Sequence, residues 1–150
     1  MATIAGIKTS IKALLDAAKV GGVPVFGSVY TEARERIENP NPAAVMMWHD
    51  SWSQEQAAMG GMYERREVLL LWVFIRRPPV YGETQMQTEM DAKVEALDTA
   101  LRSNPTLTGT VLHCQAISCT FDYDKVDIQG VGAELRMLGT VRVEVDHMVK

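Results

Sequence analysis

Few residues in this chain have types and a spacing that suit chemistry, and the first group is the run His49-Asp50-Ser51. These are the residue types of a hydrolytic triad, in which histidine takes a proton from serine and a carboxylate orients the imidazole. Neighbouring side chains of an extended chain point apart, so contiguous residues do not form a triad. We therefore interpret the run as part of a loop or a strand end.

The sequence lacks the other common patterns of catalytic and ligand sites. It contains no GxGxxG, P-loop or GxSxG pattern, and its 3 histidines form no i, i+4 metal-binding pair. Asp122, Asp124 and Asp127 are close together but lack the glycine and the terminal glutamate of an EF-hand loop. We expect no enzymatic activity, no catalytic residue, no cofactor and no metal.

Cys114 and Cys119 lie in a strand-like stretch at an odd sequence offset. Such an offset predicts side chains on opposite faces of a strand, where a disulfide cannot form between them. The longest apolar run, Val68 to Ile75, is far shorter than the roughly 20 residues of a membrane helix. With no signal-peptide pattern at the start, we expect free thiols, a cytosolic site of synthesis and no membrane partner.

Length and charge limit the class of protein. A chain of 150 residues with 47% apolar residues predicts one globular domain with its own core. The formal net charge of -4 excludes a general nucleic-acid binder, because such proteins derive most of their affinity from neutralising phosphates.

Two stretches have the spacing of amphipathic helices. The apolar positions of the first are Ile4, Ile7, Ile11, Leu14, Leu15 and Ala18. Thr3 is its predicted N-cap, and Gly21-Gly22 is its predicted end. The apolar positions of the second are Met86, Met90, Val94, Leu97 and Leu101. Thr84 and Gln87 predict a capping box at its start, and Asn104-Pro105 predicts its end.

Five stretches are predicted strands. They are Val23 to Tyr30, Ala43 to Trp48, Glu67 to Arg76, Val111 to Tyr123 and a last strand that alternates from Leu135 to Asp146. The third is apolar on both faces and is expected at the centre of the sheet. The predicted class is α+β, with a mixed, mainly antiparallel sheet and two amphipathic helices packed on one face.

A polar, glycine-containing stretch without clear periodicity is predicted to form a long loop at about 49–66. Long loops in compact domains are often functional or disordered. This one contains Trp52, Met59, Met62 and Tyr63, residue types that are favoured at protein interfaces. The alternative is that the loop folds back on its own core.

Two arginine pairs flank the predicted central strand. Arg65-Arg66 and Arg76-Arg77 are either solvated strand ends or donors to an acidic surface of a neighbouring copy, and the sequence leaves both interpretations open. The candidate interface residues are therefore Trp52, Met59, Met62, Tyr63, Arg65, Arg66, Arg76 and Arg77.

The order of elements, and one segment in particular, is similar to that of a known family. From Val94 to Val111 a helix ends, the turn Asn104-Pro105-Thr106-Leu107-Thr108-Gly109 follows, and a strand begins. In this respect the chain resembles the tail terminator (tail completion) proteins of long-tailed, lambda-like bacteriophages. Asn104 stands where the family often has Asp, and Thr108 stands for the first glycine of a Gly-Gly pair. The strand at Pro42 to Trp48 and the alternating last strand are similar in order.

The resemblance implies a structural role in the virion. Such proteins form a hexameric ring at the head-proximal end of the tail tube, in the neck, where they end tube polymerisation and join the tail to the head connector. The implied partners are further copies of the chain, the tail tube protein and a head-tail connector or head completion protein. Assembly takes place in the bacterial host cytoplasm, and DNA passes the lumen only as cargo. A negative charge balance suits such a channel.

Three alternatives stay open at this point. The first is another neck or head-completion subunit with the same order of elements. The second is a small enzyme or ligand-binding domain, which needs a pocket with convergent polar groups. The third is an adaptor that binds a peptide by a sheet edge and stays monomeric or dimeric.

Overall fold

A computed structural model describes residues 2–56, 60–128, 130 and 132–150. In chain order its elements are α1 (Ile4–Asp16), β1 (Lys19–Val20), β2 (Val23–Pro24), β3 (Ser28–Tyr30), β4 (Ala44–Gln56), β5 (Tyr63–Arg77), α2 (Gly82–Ser103), β6 (His113–Ile128) and β7 (Gly132–Val149). The order of the main elements is the predicted one, but the predicted strand Val23 to Tyr30 is wrong in extent. Only Ser28–Tyr30 joins the main sheet, and Val23–Pro24 pairs with β1 in a separate small ladder. The predicted α+β class is confirmed.

Five of the strands form one mixed sheet in the order β3-β4-β5-β7-β6. β3 runs parallel to β4, and the other neighbouring pairs are antiparallel. The central place of β5 agrees with its apolar run, in which Leu69, Leu71 and Val73 are fully buried. A strand with a neighbour on each side and a covering layer loses the most apolar surface to water.

The two helices pack on one face of this sheet, here called the helix face; the other is called the open face. The predicted apolar stripes supply the contacts, and the buried members are Ile7, Ile11 and Leu15 of α1 and Met86, Met90, Leu97 and Leu101 of α2. Gly139 of β7 allows α2 to come close, because a Cβ at that position would lie 3.0 Å from the sulfur of Met90.

The helix ends follow the sequence signals in part. The Thr3 hydroxyl accepts a hydrogen bond from the Gly6 N–H at 3.1 Å, so the predicted N-cap of α1 is confirmed. α1 ends at Asp16, and Gly21-Gly22 instead forms the turn between β1 and β2. The capping box at Thr84 was a wrong prediction, since α2 already begins at Gly82 after a short 3₁₀ turn.

The turn after α2 explains the pattern that carried the family resemblance. Leu107 and Thr108 have left-handed φ values of 47° and 62°, a region that favours glycine. The Asn104 side chain stabilises this backbone, because its Oδ1 accepts from the Thr108 N–H at 2.9 Å. Leu107 is thereby directed into the core, where it is 1% exposed.

The long loop predicted at about 49–66 is wrong. β4 continues to Gln56 and β5 begins at Tyr63, so most of this stretch is the outer part of a long β-hairpin. The register runs without interruption from Trp52 opposite Glu67 to Gln56 opposite Tyr63. Residues 51–56 are exposed on both faces, so no alternation of polar and apolar residues marks them as a strand.

The prediction for the two cysteines is also wrong in its geometry. A register shift between Ala116 and Ser118 adds a residue to β6, and the odd offset no longer separates the side chains. Cys114 lies opposite Val145 and Cys119 opposite Val141, two core positions of the helix face, so both thiols lie on that face. Both cysteines are free.

Candidate assembly surface

The hairpin beyond the core forms an arm, defined here as residues 51–56 of β4 together with residues 60–62 and the first part of β5, up to residue 66. A register shift in β4 between His49 and Ser51 marks its base. On the other side, β5 of the arm pairs with the end of β7, from Tyr63 opposite Val149 to Arg66 opposite Asp146. The arm is therefore held by strand pairing on a part of the sheet where β4 is exposed on both faces.

Trp52 and Arg65 are in contact on the arm. The Arg65 guanidinium carbon lies 4.3 Å from the centroid of the Trp52 ring. The Arg65 Nε and Nη2 donate to the Gln54 carboxamide oxygen at 3.1 and 2.9 Å. Trp52 is 53% exposed although its neighbour holds it in place. An exposed Trp–Arg pair is typical of the residues that dominate binding energy at interfaces.

The base of the arm contains a buried carboxylate between two imidazoles. Glu67 is 3% exposed, and its two oxygens lie 2.6 Å from His49 Nε2 and 3.2 Å from His147 Nε2. Arg65 Nη1 is 3.9 Å from the same carboxylate. Burial of a carboxylate is costly unless it is paired and hydrogen-bonded, so these partners allow Glu67 to stay inside. Within the described ranges, no group of three or more His, Cys, Asp or Glu residues is arranged to hold a metal ion.

Both edges of the sheet are open in the part of the chain that the structure describes. At one edge, β3 pairs only with Ala44, Val45 and Met46, which leaves the outer side of residues 47–56 without a strand. At the other edge, β6 pairs with β7 on its inner side alone. Ile117, Phe121 and Tyr123 of β6 are exposed by 47%, 40% and 37%. Long exposed edges carry unpaired N–H and C=O groups that favour pairing with another chain.

A groove of about 400 Å³ runs between the β6 edge and α2. Its apolar lining is Val94, Ala116, Ile117, Cys119, Phe121 and Val141. Asp91, Glu95 and Asp98 of α2 form a mainly acidic rim along it, to which Arg102, paired with Asp98, also belongs. Burial and the nearby charge of Asp91 raise the pKa of the Cys119 thiol to about 11. The groove therefore combines an apolar floor, a negative rim and an open strand edge.

The remaining arginines of the candidate set are paired within the chain. Arg66 forms a bidentate pair with Asp146 on the open face, at 2.8 and 3.0 Å, which raises the pKa of the guanidinium. Arg76 Nε lies 3.7 Å from Glu134 at the far end of β5. Arg77 is bonded to Glu89 and donates to the Pro42 carbonyl, and its side chain is 10% exposed. It ties α2 to the sheet.

The structure brings only some candidates together. Trp52 and Arg65 are in contact, whereas Arg76 and Arg77 lie at the opposite end of β5. Met62 and Tyr63 are half-buried where β5 begins. Met59 lies outside the described residues.

Comparison with known proteins gives a distant structural similarity. No protein-family model and no curated protein matches the chain. Among solved structures, the chain is similar to a chain of the virion of a native gene transfer agent (GTA) particle, with a TM-score of 0.44 and 12% identity. The match covers 97% of this chain and 99% of that chain. No described helix is long and apolar enough to span a membrane.

Sequence reasoning missed two features of this surface. The first is the Glu67 cluster, because its members come from three strands and Glu67 marks only the boundary of an apolar run in the sequence. The second is a pair of stacked tryptophans on the open face. Trp48 and Trp72 have ring centroids 6.2 Å apart, and Trp48 is 50% exposed.

Proposed function

We propose that this chain is a structural virion protein that forms a ring at the head-proximal end of a phage tail tube. In this role it ends tube polymerisation and joins the tail to the head connector, with no catalytic step and no cofactor. The number of copies, six, and the place in the neck come from the family resemblance of the sequence. The possibility of lateral assembly rests on the open edges of the sheet.

The directions of the two edge strands carry the proposal. β4, β5, β7 and β6 are successive antiparallel neighbours, so β4 and β6 run antiparallel to each other at opposite sides of the sheet. When two copies stand side by side in the same orientation, β6 of one meets β4 of the next in the antiparallel sense. The sheet then continues from copy to copy.

This contact is heterologous, because β6 of one copy pairs with β4, a different strand, of the next copy. Heterologous contacts close into a ring when the rotation between copies divides a full turn, and otherwise form open filaments. Every copy in a closed ring has both of its edges covered. The arrangement thus removes two aggregation-prone edges without a second protein.

Native mass spectrometry over a concentration series tests the proposal. We expect a species at six times 16.6 kDa, with a ring visible by electron microscopy. A chain that stays monomeric, or stops at a dimer, at every concentration contradicts the ring and favours the adaptor alternative.

The terminator role needs a second experiment with tail tubes. The purified chain is added to a phage tail tube protein while the tubes polymerise. We expect shorter tubes with one capped end in electron micrographs. Rings that never attach to tube ends would favour another neck or head-completion subunit.

A further inference from the structure

The groove between β6 and α2 lacks an occupant among the described residues, and its chemistry restricts what fits. An added strand at the β6 edge would satisfy the unpaired backbone groups, and its alternate side chains would point into the groove. The apolar floor requires a large apolar side chain, and the acidic rim requires a cation beside it. The occupant is therefore an extended segment with both groups on one face.

We propose that the occupant is the arm of a neighbouring copy, with Trp52 in the groove and Arg65 against the acidic rim. This contact rests on the ring proposed above and specifies how its subunits meet. It assigns a role to two of the candidate interface residues. It also explains why an exposed tryptophan is held in place by an arginine.

Trp52 lies on the correct face of the sheet. It is opposite Glu67, which is opposite Val145, a core residue of the helix face. The groove opens on the same face, since Cys119 in its floor is opposite the core residue Val141. A sheet that continues from β6 into β4 of the next copy preserves its faces. Trp52 of that copy then lies on the side where α2 borders the groove.

The charges of the two surfaces are complementary. Glu95 is exposed and has no ion-pair partner within the described ranges, and Asp91 accepts a hydrogen bond only from the neutral Gln87 amide there. Asp98 is already paired with Arg102. Among the described acidic residues, only Glu67 lies within 4 Å of the Arg65 guanidinium, at 3.9 Å, and the Arg65 side chain is 29% exposed. A cation on the arm thus faces two carboxylates whose charge is not neutralised within the subunit.

The other exposed tryptophan serves as a matched control. Trp48 is 50% exposed, close to the 53% of Trp52, and lies on the same strand. It stacks on Trp72 on the open face and points away from the groove. If assembly depended only on the exposed surface of a tryptophan, Trp48→Ala and Trp52→Ala would weaken assembly equally.

The test compares the assembly of wild type, Trp52→Ala, Trp48→Ala and Glu95→Arg by native mass spectrometry over a concentration series. We expect Trp52→Ala to raise the concentration for half-assembly at least tenfold and Trp48→Ala to leave it within about threefold, as expected for an interface anchor and for a side chain on the opposite face from the groove. Glu95→Arg changes an exposed helix position, so it weakens assembly with the fold intact. Circular dichroism checks that each variant is folded.

A charge exchange provides the sharpest readout. Arg65→Glu and Glu95→Arg each weaken assembly alone, and we expect the double variant Arg65→Glu/Glu95→Arg to recover at least half of the lost affinity, measured as the shift in half-assembly concentration. A wild-type chain that forms no ring overturns the proposed function together with this contact. Wild-type rings that persist in Trp52→Ala, or that fail only in Trp48→Ala, overturn the contact alone.

Discussion

The helix-covered part of the sheet and the arm consist of the same two strands but are stabilised in different ways. In the covered part, Met47, Leu69 and Leu71 are fully buried under the helices. Beyond Glu67, residues 51–56 of β4 are exposed on both faces. Strand pairing continues from one region into the other, whereas apolar burial stops at the base of the arm.

This difference indicates a division of roles. Hydrophobic burial in the covered part stabilises the fold, since it is the largest favourable term in folding. A bare two-stranded hairpin is marginal in water, so the arm depends on its pairing with β7 and on the Glu67 cluster at its base. Variants in the two regions should therefore separate stability from assembly.

The largest effect on stability is expected in the covered part. Leu97 of α2 is fully buried, and Leu97→Ala should lower the free energy of unfolding by about 2–5 kcal/mol. Chemical denaturation measures this change. Thr99→Ala, at an exposed position of the same helix, is the control and should stay within about 0.5 kcal/mol. A comparable loss in both variants would mean that α2 does not pack on the sheet as described.

A smaller effect is expected at the base of the arm. Glu67→Ala leaves the buried imidazole of His147 without its acceptor, which should lower the free energy of unfolding by about 1–3 kcal/mol. Hydrogen exchange of the variant should increase first in the arm. Glu64→Ala, at an exposed position of the arm, is the matched control. An unchanged exchange rate in the arm of Glu67→Ala would exclude the cluster as its support.

A charge near the start of β5 should affect assembly more than folding. Met62 is half-buried, and we expect Met62→Glu to change the free energy of unfolding by less than about 1 kcal/mol while it blocks ring formation. Met62→Leu keeps an apolar side chain and is the control. Normal rings formed by Met62→Glu would remove this position from the interface.

The thiols of β6 predict a pH dependence of alkylation. Because only the thiolate reacts and the pKa of Cys119 is raised to about 11, its alkylation rate should increase about tenfold per pH unit from pH 8 to pH 10. Cys114, with its pKa raised to about 12 by burial, should react more slowly. Intact-mass measurement with Cys119→Ser as the control assigns the site. A rate that levels off near pH 8.5 would contradict the buried environment of Cys119.

The sequence predicted the covered part well and the arm poorly, for one physical reason. The stripes of α1 and α2, the apolar run of β5 and the alternation of β7 all record burial, and burial leaves a periodic pattern in the chain. The arm is exposed on both faces, so the same stretch lacked periodicity and was predicted as a loop. Its strand character comes from partners that are distant in sequence, such as Asp146 opposite Arg66.

The arrangement of the candidate site also could not be predicted from a periodic pattern in the sequence. Trp52 and Arg65 were selected by residue type, but their contact depends on the register of β4 against β5. Glu67 meets His147 only through the β5–β7 pairing. The opposite faces predicted for Cys114 and Cys119 failed because a single inserted residue in β6 reverses the alternation.

Hydrogen–deuterium exchange, compared between the dilute monomer and the assembled protein, tests the central claim most directly. If the open edges join neighbouring copies, amides of residues 47–56 and of β6 that have no partner in the monomer should become protected together on assembly. Amides of β5 in the covered part should exchange at the same slow rate in both states. An assembled form in which the arm and β6 exchange as fast as in the monomer would contradict the account.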